Sequence, residues 1–440
     1  MKRIEEYKKE IAASASDYLR RGNGPGVMQL YGRSGMGKTL LVRQYLKDHG
    51  GLYFSFQSLD VAFAPRIFMP GCNNWQDFFA EIRNTKNRPV IFFDDMDDQD
   101  DKDIFLEMLQ QLTGIAYIVL IYRRKVTLPF KTKDLQMMPL TPASLRRSNK
   151  DLKALDALRI IALTDGIPEL VSQFDLNKDF RANIKSIFSE GSLYLRYASE
   201  ELSREFRSPE SYNTLLYGMA IGHNRISQLA EFSGYPKNKV DKYLKALDCA
   251  GFIETKQRKD DAGQIRTHYY PKGGYLRTWY RLYFPQQKNF CEPLNDDTLS
   301  ELLLQIDEHI TKYYFRKCCW QWLRYCGREY FWDSPIALNN AAQYDVTING
   351  IDFDFVQHDK DRDLYVKILD AADERFSKEL FQRIETATTK TKPFYNNVYF
   401  LFSIRRAGSY VEDLRNLGSV AVVDADTFFT NESIKLLERI

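Results

Sequence analysis

Gly32-Arg33-Ser34-Gly35-Met36-Gly37-Lys38-Thr39 follows the apolar run Val27-Met-Gln-Leu-Tyr31 and leads into Leu40-Leu-Val-Arg-Gln-Tyr-Leu46. Every position fits the pattern Gly-x-x-x-x-Gly-Lys-Ser/Thr, in the context that gives the pattern its meaning: a strand before it and a helix after it. The glycines permit a sharp turn that aims the backbone N–H groups of Arg33, Ser34, Gly35, Met36 and Gly37 into one concavity. The helix start at Lys38, Thr39 and Leu40 adds the partial positive charge of its N-terminus. Lys38 brings a point charge for β and γ phosphates, and Thr39 brings a hydroxyl for a magnesium ion. The stretch predicts a loop, Gly32 to Leu40, that holds a nucleoside triphosphate with magnesium.

Working outward, strands alternate with helices. Residues 1–20 read as a helix and Gly22 to Gly26 as a break. Leu52–Phe56, Val90–Phe93, Ala116–Tyr122 and Leu135–Met138 read as strands, separated by helical stretches at Trp75–Ile82 and about 102–112. That order predicts an α/β fold with a parallel sheet covered on both faces. A phosphate loop of this kind needs an acid at the end of a buried strand. Val90-Ile-Phe-Phe-Asp94-Asp95 supplies it, with Asp94 as the magnesium partner and Asp95 as the group that orients or activates water. The following Asp97, Asp98, Asp100 and Asp101 read as a solvated acidic loop. Arg123 ends the next strand, where it could sense a γ-phosphate or stabilise transition-state charge; a surface arginine is the equal alternative.

From about 150 to 250 the pattern is helical only. Residues 211–271 read as helix, helix, turn, helix and hairpin, a winged helix. Ile226–Gly234 is its second helix, Asn238–Leu247 its third with Val240, Leu244 and Leu247 inward, and Asp260–Gly263 the turn of its wing. Lys237, Lys239, Lys242 and Lys245, with Lys256, Arg258, Lys259 and Arg266 on the wing, form a candidate face for the phosphates of double-stranded DNA; a solvated face on an interaction module is the alternative. The stretch 286–298 reads as a linker. Beyond it, strands at Phe353–Val356, Leu364–Ile368, Val398–Phe402 and Val420–Val423 predict a second α/β domain.

Composition narrows the function classes. The chain has 440 residues, 44% hydrophobic and 28% charged, with a formal net charge of +3. The length calls for two to four domains, and the charge balance does not demand nucleic acid. No run of about 18 apolar residues exists, so no membrane span is expected. The six cysteines include no CxxC pair and have no zinc spacing with histidine. Cys318, Cys319 and Cys326 fall in one apolar helical run and read as buried thiols. A reducing cytoplasm is the expected compartment.

Taken together, these motifs resemble those of the archaeal-type ATPases, placed with the STAND branch of the AAA+ P-loop NTPases. The resemblance rests on Gly32–Thr39 with Asp94-Asp95, on Thr164-Asp-Gly166-Ile-Pro168-Glu-Leu170, on Phe188–Tyr194 continuing to Glu201, and on Tyr275–Phe284. It implies ATP as the nucleotide. Gly166 and Pro168 are then the family's Gly-x-Pro turn, whose proline packs near the base. The implied domains are a P-loop ATPase over 1–175, a helical lid over 176–210, a winged helix over 211–285, and a restriction-endonuclease-like domain over 286–440. Where the family has Asp-Glu, this chain has Asp94-Asp95, which implies slow hydrolysis. Nucleases of that last fold need Asp, then Glu-x-Lys; here Asp354 and Lys367 match, but Tyr365 stands in the glutamate's place. The expectation is an ATP-dependent switch with an inactive nuclease-like domain, acting through a protein partner or self-association. An ATP-gated DNA nuclease and a DNA-binding regulator are the alternatives.

Overall fold

The computed structural model describes residues 2–56, 64–96, 102–259, 264–291, 294–325, 343–358, 363–369, 377–389, 397–404, 420–424 and 428. The acidic run from Asp97 to Asp101, the wing turn Asp260–Gly263 and Cys326 lie outside these residues. The chain divides into two compact units, Met1–Pro139 with Ile167–Glu169, and Leu140–Gly166 with Leu170–Ile440.

In the first unit the elements run α1 (Lys2–Arg21), β1 (Val27–Tyr31), α2 (Lys38–His49), β2 (Leu52–Ser55), α3 (Ala64–Phe68), α4 (Trp75–Asn84), β3 (Val90–Asp94), α5 (Lys102–Leu112), β4 (Tyr117–Tyr122) and β5 (Lys133–Gln136). The five strands form one all-parallel sheet in the order β2-β3-β4-β1-β5. Strands buried on both faces need near-continuous apolar sequence, and β4 (Tyr-Ile-Val-Leu-Ile-Tyr) is buried at every position. One layer of the core packs Phe78, Phe79, Phe105 and Leu109 against Phe54, Ile91, Phe93, Ile118 and Leu120. Because all five strands run the same way, the ends of β1, β3 and β4 share one edge. Ligands of open α/β sheets bind at that edge.

The second unit begins with α6 (Pro142–Ser148), α7 (Ala154–Thr164), the short α8 (Pro168–Val171, whose first two residues belong to the first unit), α9 (Phe180–Ile187) and α10 (Leu193–Glu205). Three helices follow, α11 (Glu210–Ala220), α12 (Ile226–Ser233) and α13 (Lys237–Cys249), then an antiparallel hairpin of β6 (Ile253–Lys259) and β7 (Ile265–Pro271). Val240, Leu244 and Leu247 are the buried stripe of α13. Gly234, at φ 70°, closes α12 in the left-handed conformation.

The stretch expected as a linker is structured instead. α14 (Gly273–Thr278) continues through a π turn at Trp279–Tyr283 into a 3-10 turn at Phe284–Phe290. Phe290 is buried against Phe188 and Tyr283, and Asn295 caps α15 (Asp296–Ile306). Polar composition suggested a linker, but one buried aromatic and one cap decide the outcome. A second π turn, Asp307–Thr311, joins α15 to α16 (Lys312–Tyr325).

The remaining elements are β8 (Gln343–Ile348), β9 (Ile351–His358), β10 (Asp363–Leu369), α17 (Lys378–Thr389), β11 (Asn397–Ser403) and β12 (Val420–Val423). They form a mixed sheet in the order β12-β11-β10-β9-β8, in which β9 runs antiparallel to both β8 and β10. Trp322 and Phe315 of α16 cover one face, and Phe381 and Ile384 of α17 the other. Among the described residues, no helix is long and apolar enough to cross a membrane.

Candidate nucleotide site

β1 ends at Tyr31, and the chain turns into Gly32–Gly37 at the carboxyl edge of the sheet. Gly35 and Gly37 sit at φ 72° and 87°, the left-handed region. Gly37 has open space around it, so its demand is conformational. Gly35 also lacks room: a Cβ there would lie 2.8 Å from Ile167 Cγ2 and 2.6 Å from a Glu169 carboxylate oxygen. The Glu169 N–H donates to the Gly35 carbonyl at 3.1 Å. The segment Ile167-Pro168-Glu169 is therefore laid against the loop. Gly166 has a different job: it accepts from Leu140 N–H at 2.7 Å, and a Cβ there would overlap the Leu140 carbonyl.

Lys38 Nζ folds back over the loop and donates to the carbonyls of Gly32 at 2.6 Å and Arg33 at 3.1 Å. Thr39 Oγ1 donates to Asp94 Oδ2 at 3.1 Å, joining the first turn of α2 to the end of β3. Leu40, next in the helix, is half exposed. Arg33, Ser34 and Met36 complete the loop, with Met36 buried. Arg123 leaves the end of β4. Since Phe93 pairs with Leu120 and Tyr31 with Tyr122, it emerges on the same sheet edge as the loop and the acids.

Asp94 is buried, and its carboxyl is held above the usual carboxylate range, first by burial and then by the charge of Asp95. Three donors partly offset this: the Tyr53 hydroxyl at 2.9 Å, the Asp95 backbone N–H at 2.9 Å, and Thr39. Asp95 is exposed, sits at φ 58°, and accepts from Ser55 Oγ at 2.7 Å. Aspartate tolerates the left-handed region better than most residues.

Tyr53 and Ser55 were not picked out from the sequence. Their signal is the period-two pattern of Leu52-Tyr-Phe-Ser55, which puts both hydroxyls on one face of β2 beside β3. The donor set fits a hard divalent cation: a threonine hydroxyl and a buried carboxylate are oxygen ligands of the kind magnesium takes. Among the described residues no lysine or arginine pairs with either acid.

The second candidate metal site does not assemble. Asp354 is nearly buried. One carboxylate oxygen pairs with Arg316 of α16 at 2.9 Å, and the other accepts from the Ile368 N–H at 2.6 Å. Lys367 Nζ donates to the Asp352 carbonyl at 2.7 Å. Tyr365 is fully buried and stacks on Tyr399. Among the described residues, a guanidinium is thus paired with the carboxylate of Asp354. Among the described residues no group of three metal-type side chains comes together.

The lysines of α13 divide by surroundings. Lys237, Lys239, Lys242 and Lys245 are exposed. Lys239 lies over the Tyr235 ring at 4.0 Å, and Lys245 pairs with Asp241 at 2.7 Å. On the hairpin, Lys256 is drawn into a packed cluster with Glu254, Tyr270 and Tyr313. The side chains of Arg258 and Lys259 lie outside the described residues.

Residues 28–139 match the family model described as the ATPase family associated with various cellular activities, AAA. This segment is similar to AAA ATPase domains over about a quarter of the chain. The AAA match covers β1 to the end of β5 and includes the loop and the acid pair. An uncharacterised protein of Methanocaldococcus jannaschii is 25% identical over 172 residues, 38% of this chain and 38% of that protein. The match thus spans well under half of that relative's length. Among solved structures, a Walker-type ATPase of Pyrococcus abyssi is similar with TM-score 0.42 at 14% identity, covering 63% of this chain and 95% of that one. The Orc1 protein of Aeropyrum pernix, solved in complex with DNA, is similar with TM-score 0.35 at 13% identity, covering 70% and 94%. The RuvB Holliday junction branch migration motor of Thermotoga maritima is similar with TM-score 0.31 at 15% identity, covering 60% and 91%.

Proposed function

We propose that the protein is an ATP-binding, slowly hydrolysing switch: a P-loop ATPase domain coupled to a winged helix and to an inactive nuclease-like domain, acting in the cytoplasm. The observation that carries this reading is the bond from Thr39 to Asp94, made at the mouth of a loop already lined by Lys38. The loop's N–H groups and Lys38 bind the β and γ phosphates. Thr39 and Asp94 hold magnesium, which when bound neutralises charge on those phosphates. Asp95 takes a proton from the attacking water, and Arg123 faces the terminal phosphate. Asp95 reaches one methylene less far than a glutamate and is tied to Ser55, which supports slow turnover.

Coupling is supported by the chain's path. Ile167–Glu169 belongs to the first unit, while Gly166 and Leu170 on either side belong to the second. A change at the loop that moves Pro168 and Glu169 pulls directly on the second unit's backbone. We place the domains at 1–175, 176–210 (lid), 211–285 (winged helix) and 286–440. The partner is a protein or a second copy of the chain. The exposed lysines of α13 favour a second reading, a DNA-binding regulator in which the winged helix grips duplex phosphates. A nuclease is disfavoured by the Arg316–Asp354 pair.

The test is magnesium-dependent phosphate release from ATP by wild type and Lys38→Ala, with and without duplex DNA. Slow turnover lost in the variant supports the switch, and stimulation by DNA supports the second reading. Turnover equal in both proteins removes the proposal.

A further inference from the structure

Tyr53, like Ser55, belongs to the site but to neither the loop motif nor the acid motif. It lies on β2, paired in register with Phe92, two residues before Asp94. Its hydroxyl crosses to Asp94 Oδ2 at 2.9 Å. A carboxylate offers about four lone-pair positions. Three of those of Asp94 are taken: Tyr53 and Thr39 on Oδ2, and the Asp95 N–H on Oδ1.

These three donors are not equivalent. The Asp95 N–H is backbone and comes with the turn after β3. The Thr39 hydroxyl is the one a cation would recruit, because its oxygen is itself a ligand. Tyr53 alone is a side chain whose purpose is unexplained by the fold: phenylalanine would fill the same space beside β3. A buried carboxylate without a nearby cation needs donors to stay charged and in one orientation. When Thr39 turns to a metal, Tyr53 is the side-chain donor that remains beside the Asp95 N–H, and the one on Oδ2.

We propose that Tyr53 is a positioning residue for the cation: its phenol fixes the Asp94 carboxylate and thereby sets how tightly the nucleotide site takes magnesium. The proposal rests on the reading of Thr39 and Asp94 as the magnesium ligands. Neither the loop nor the acid pair requires a tyrosine at that position of β2. Tyr53 touches neither nucleotide nor metal in this account; it acts through Asp94.

The experiment titrates magnesium against a fluorescent N-methylanthraniloyl-ATP bound to the full chain, for wild type, Tyr53→Phe and Asp94→Asn. In wild type, nucleotide affinity rises with magnesium. In Tyr53→Phe the half-saturating magnesium concentration rises about tenfold, as expected for loss of one charge-assisted hydrogen bond, while affinity for metal-free nucleotide is unchanged. Asp94→Asn abolishes the magnesium response. Phosphate release follows the same split: at saturating magnesium Tyr53→Phe recovers wild-type kcat. An unchanged magnesium midpoint in Tyr53→Phe overturns the proposal. So does an equal loss of metal-free nucleotide binding, which would make Tyr53 a structural support of the loop. No magnesium response in wild type would instead remove the site reading beneath it.

Discussion

The guanidinium of Arg316 lies 2.9 Å from the carboxylate of Asp354, on the strand where a nuclease of the resembled fold would place its metal-binding acid. An internal cation thus sits on the acid that a divalent ion would need. Arg316→Ala is expected to remove one partner of the nearly buried Asp354, which keeps its bond from the Ile368 N–H, and to lower the melting temperature modestly, since Arg316 itself is partly exposed. It is not expected to create manganese-dependent cleavage of duplex DNA, because Tyr365 still replaces the second acid. Cleavage by wild type that is lost in Asp354→Ala and Lys367→Ala would reverse this account of the domain.

Gly35 gives a sharper structural prediction. Its φ of 72° disfavours a side chain, and a Cβ would press on Ile167 and Glu169. Gly35→Ala should cost about 1–3 kcal/mol of stability and displace the segment carrying Pro168. Gly37→Ala meets open space and pays only for its conformation. Thermal unfolding should therefore rank Gly35→Ala below Gly37→Ala, and equal losses would show that contact with Ile167–Glu169 contributes nothing.

His309 makes the second unit sensitive to mild acid. Arg281 donates to His309 Nε2 at 3.1 Å, which requires the neutral ring with a lone pair on that nitrogen. Burial holds the imidazole below its ordinary value, Arg281 adds to this, Lys312 acts the same way, and Glu308 opposes them. The unfolded chain therefore takes up a proton near pH 6.5 that the folded chain resists. By linkage, stability is full above that pH and declines as pH falls below it. His309→Gln should flatten the melting temperature between about pH 5 and 6.5; a profile identical to wild type would exclude His309 as the cause.

How far the sequence could be read depended on the range of the interaction. The phosphate loop and the acid pair were legible because each is a contiguous pattern on one strand end. The β2 hydroxyls were not singled out, because Tyr53 and Ser55 acquire meaning only when β2 pairs with β3. Arg316 was not singled out for the same reason: its partner lies 38 residues later on another element. β8 was missed although Tyr344-Asp-Val-Thr-Ile348 alternates and Asn349-Gly350 forms a tight hairpin turn, both at positive φ. Lys256 was read as one more wing charge, but its neighbours Tyr270 and Tyr313 come from β7 and α16.

The winged-helix reading predicts salt-dependent binding of duplex DNA through α13. Lys239→Ala with Lys242→Ala should reduce affinity and make the dependence on log salt shallower by about two units. Lys245→Ala should matter less, since Asp241 already neutralises it. Binding unaffected by the double substitution would leave α13 as a solvated face and favour a protein partner.

The central claim is that Gly32–Thr39 holds ATP with magnesium, and isothermal titration calorimetry of ATP into the protein in magnesium-containing buffer tests it most directly. Wild type is expected to bind stoichiometrically, and Lys38→Ala to lose binding by about a hundredfold or more, as expected when a charge-assisted contact to phosphate is removed from the loop. Tight binding retained in Lys38→Ala would contradict the account.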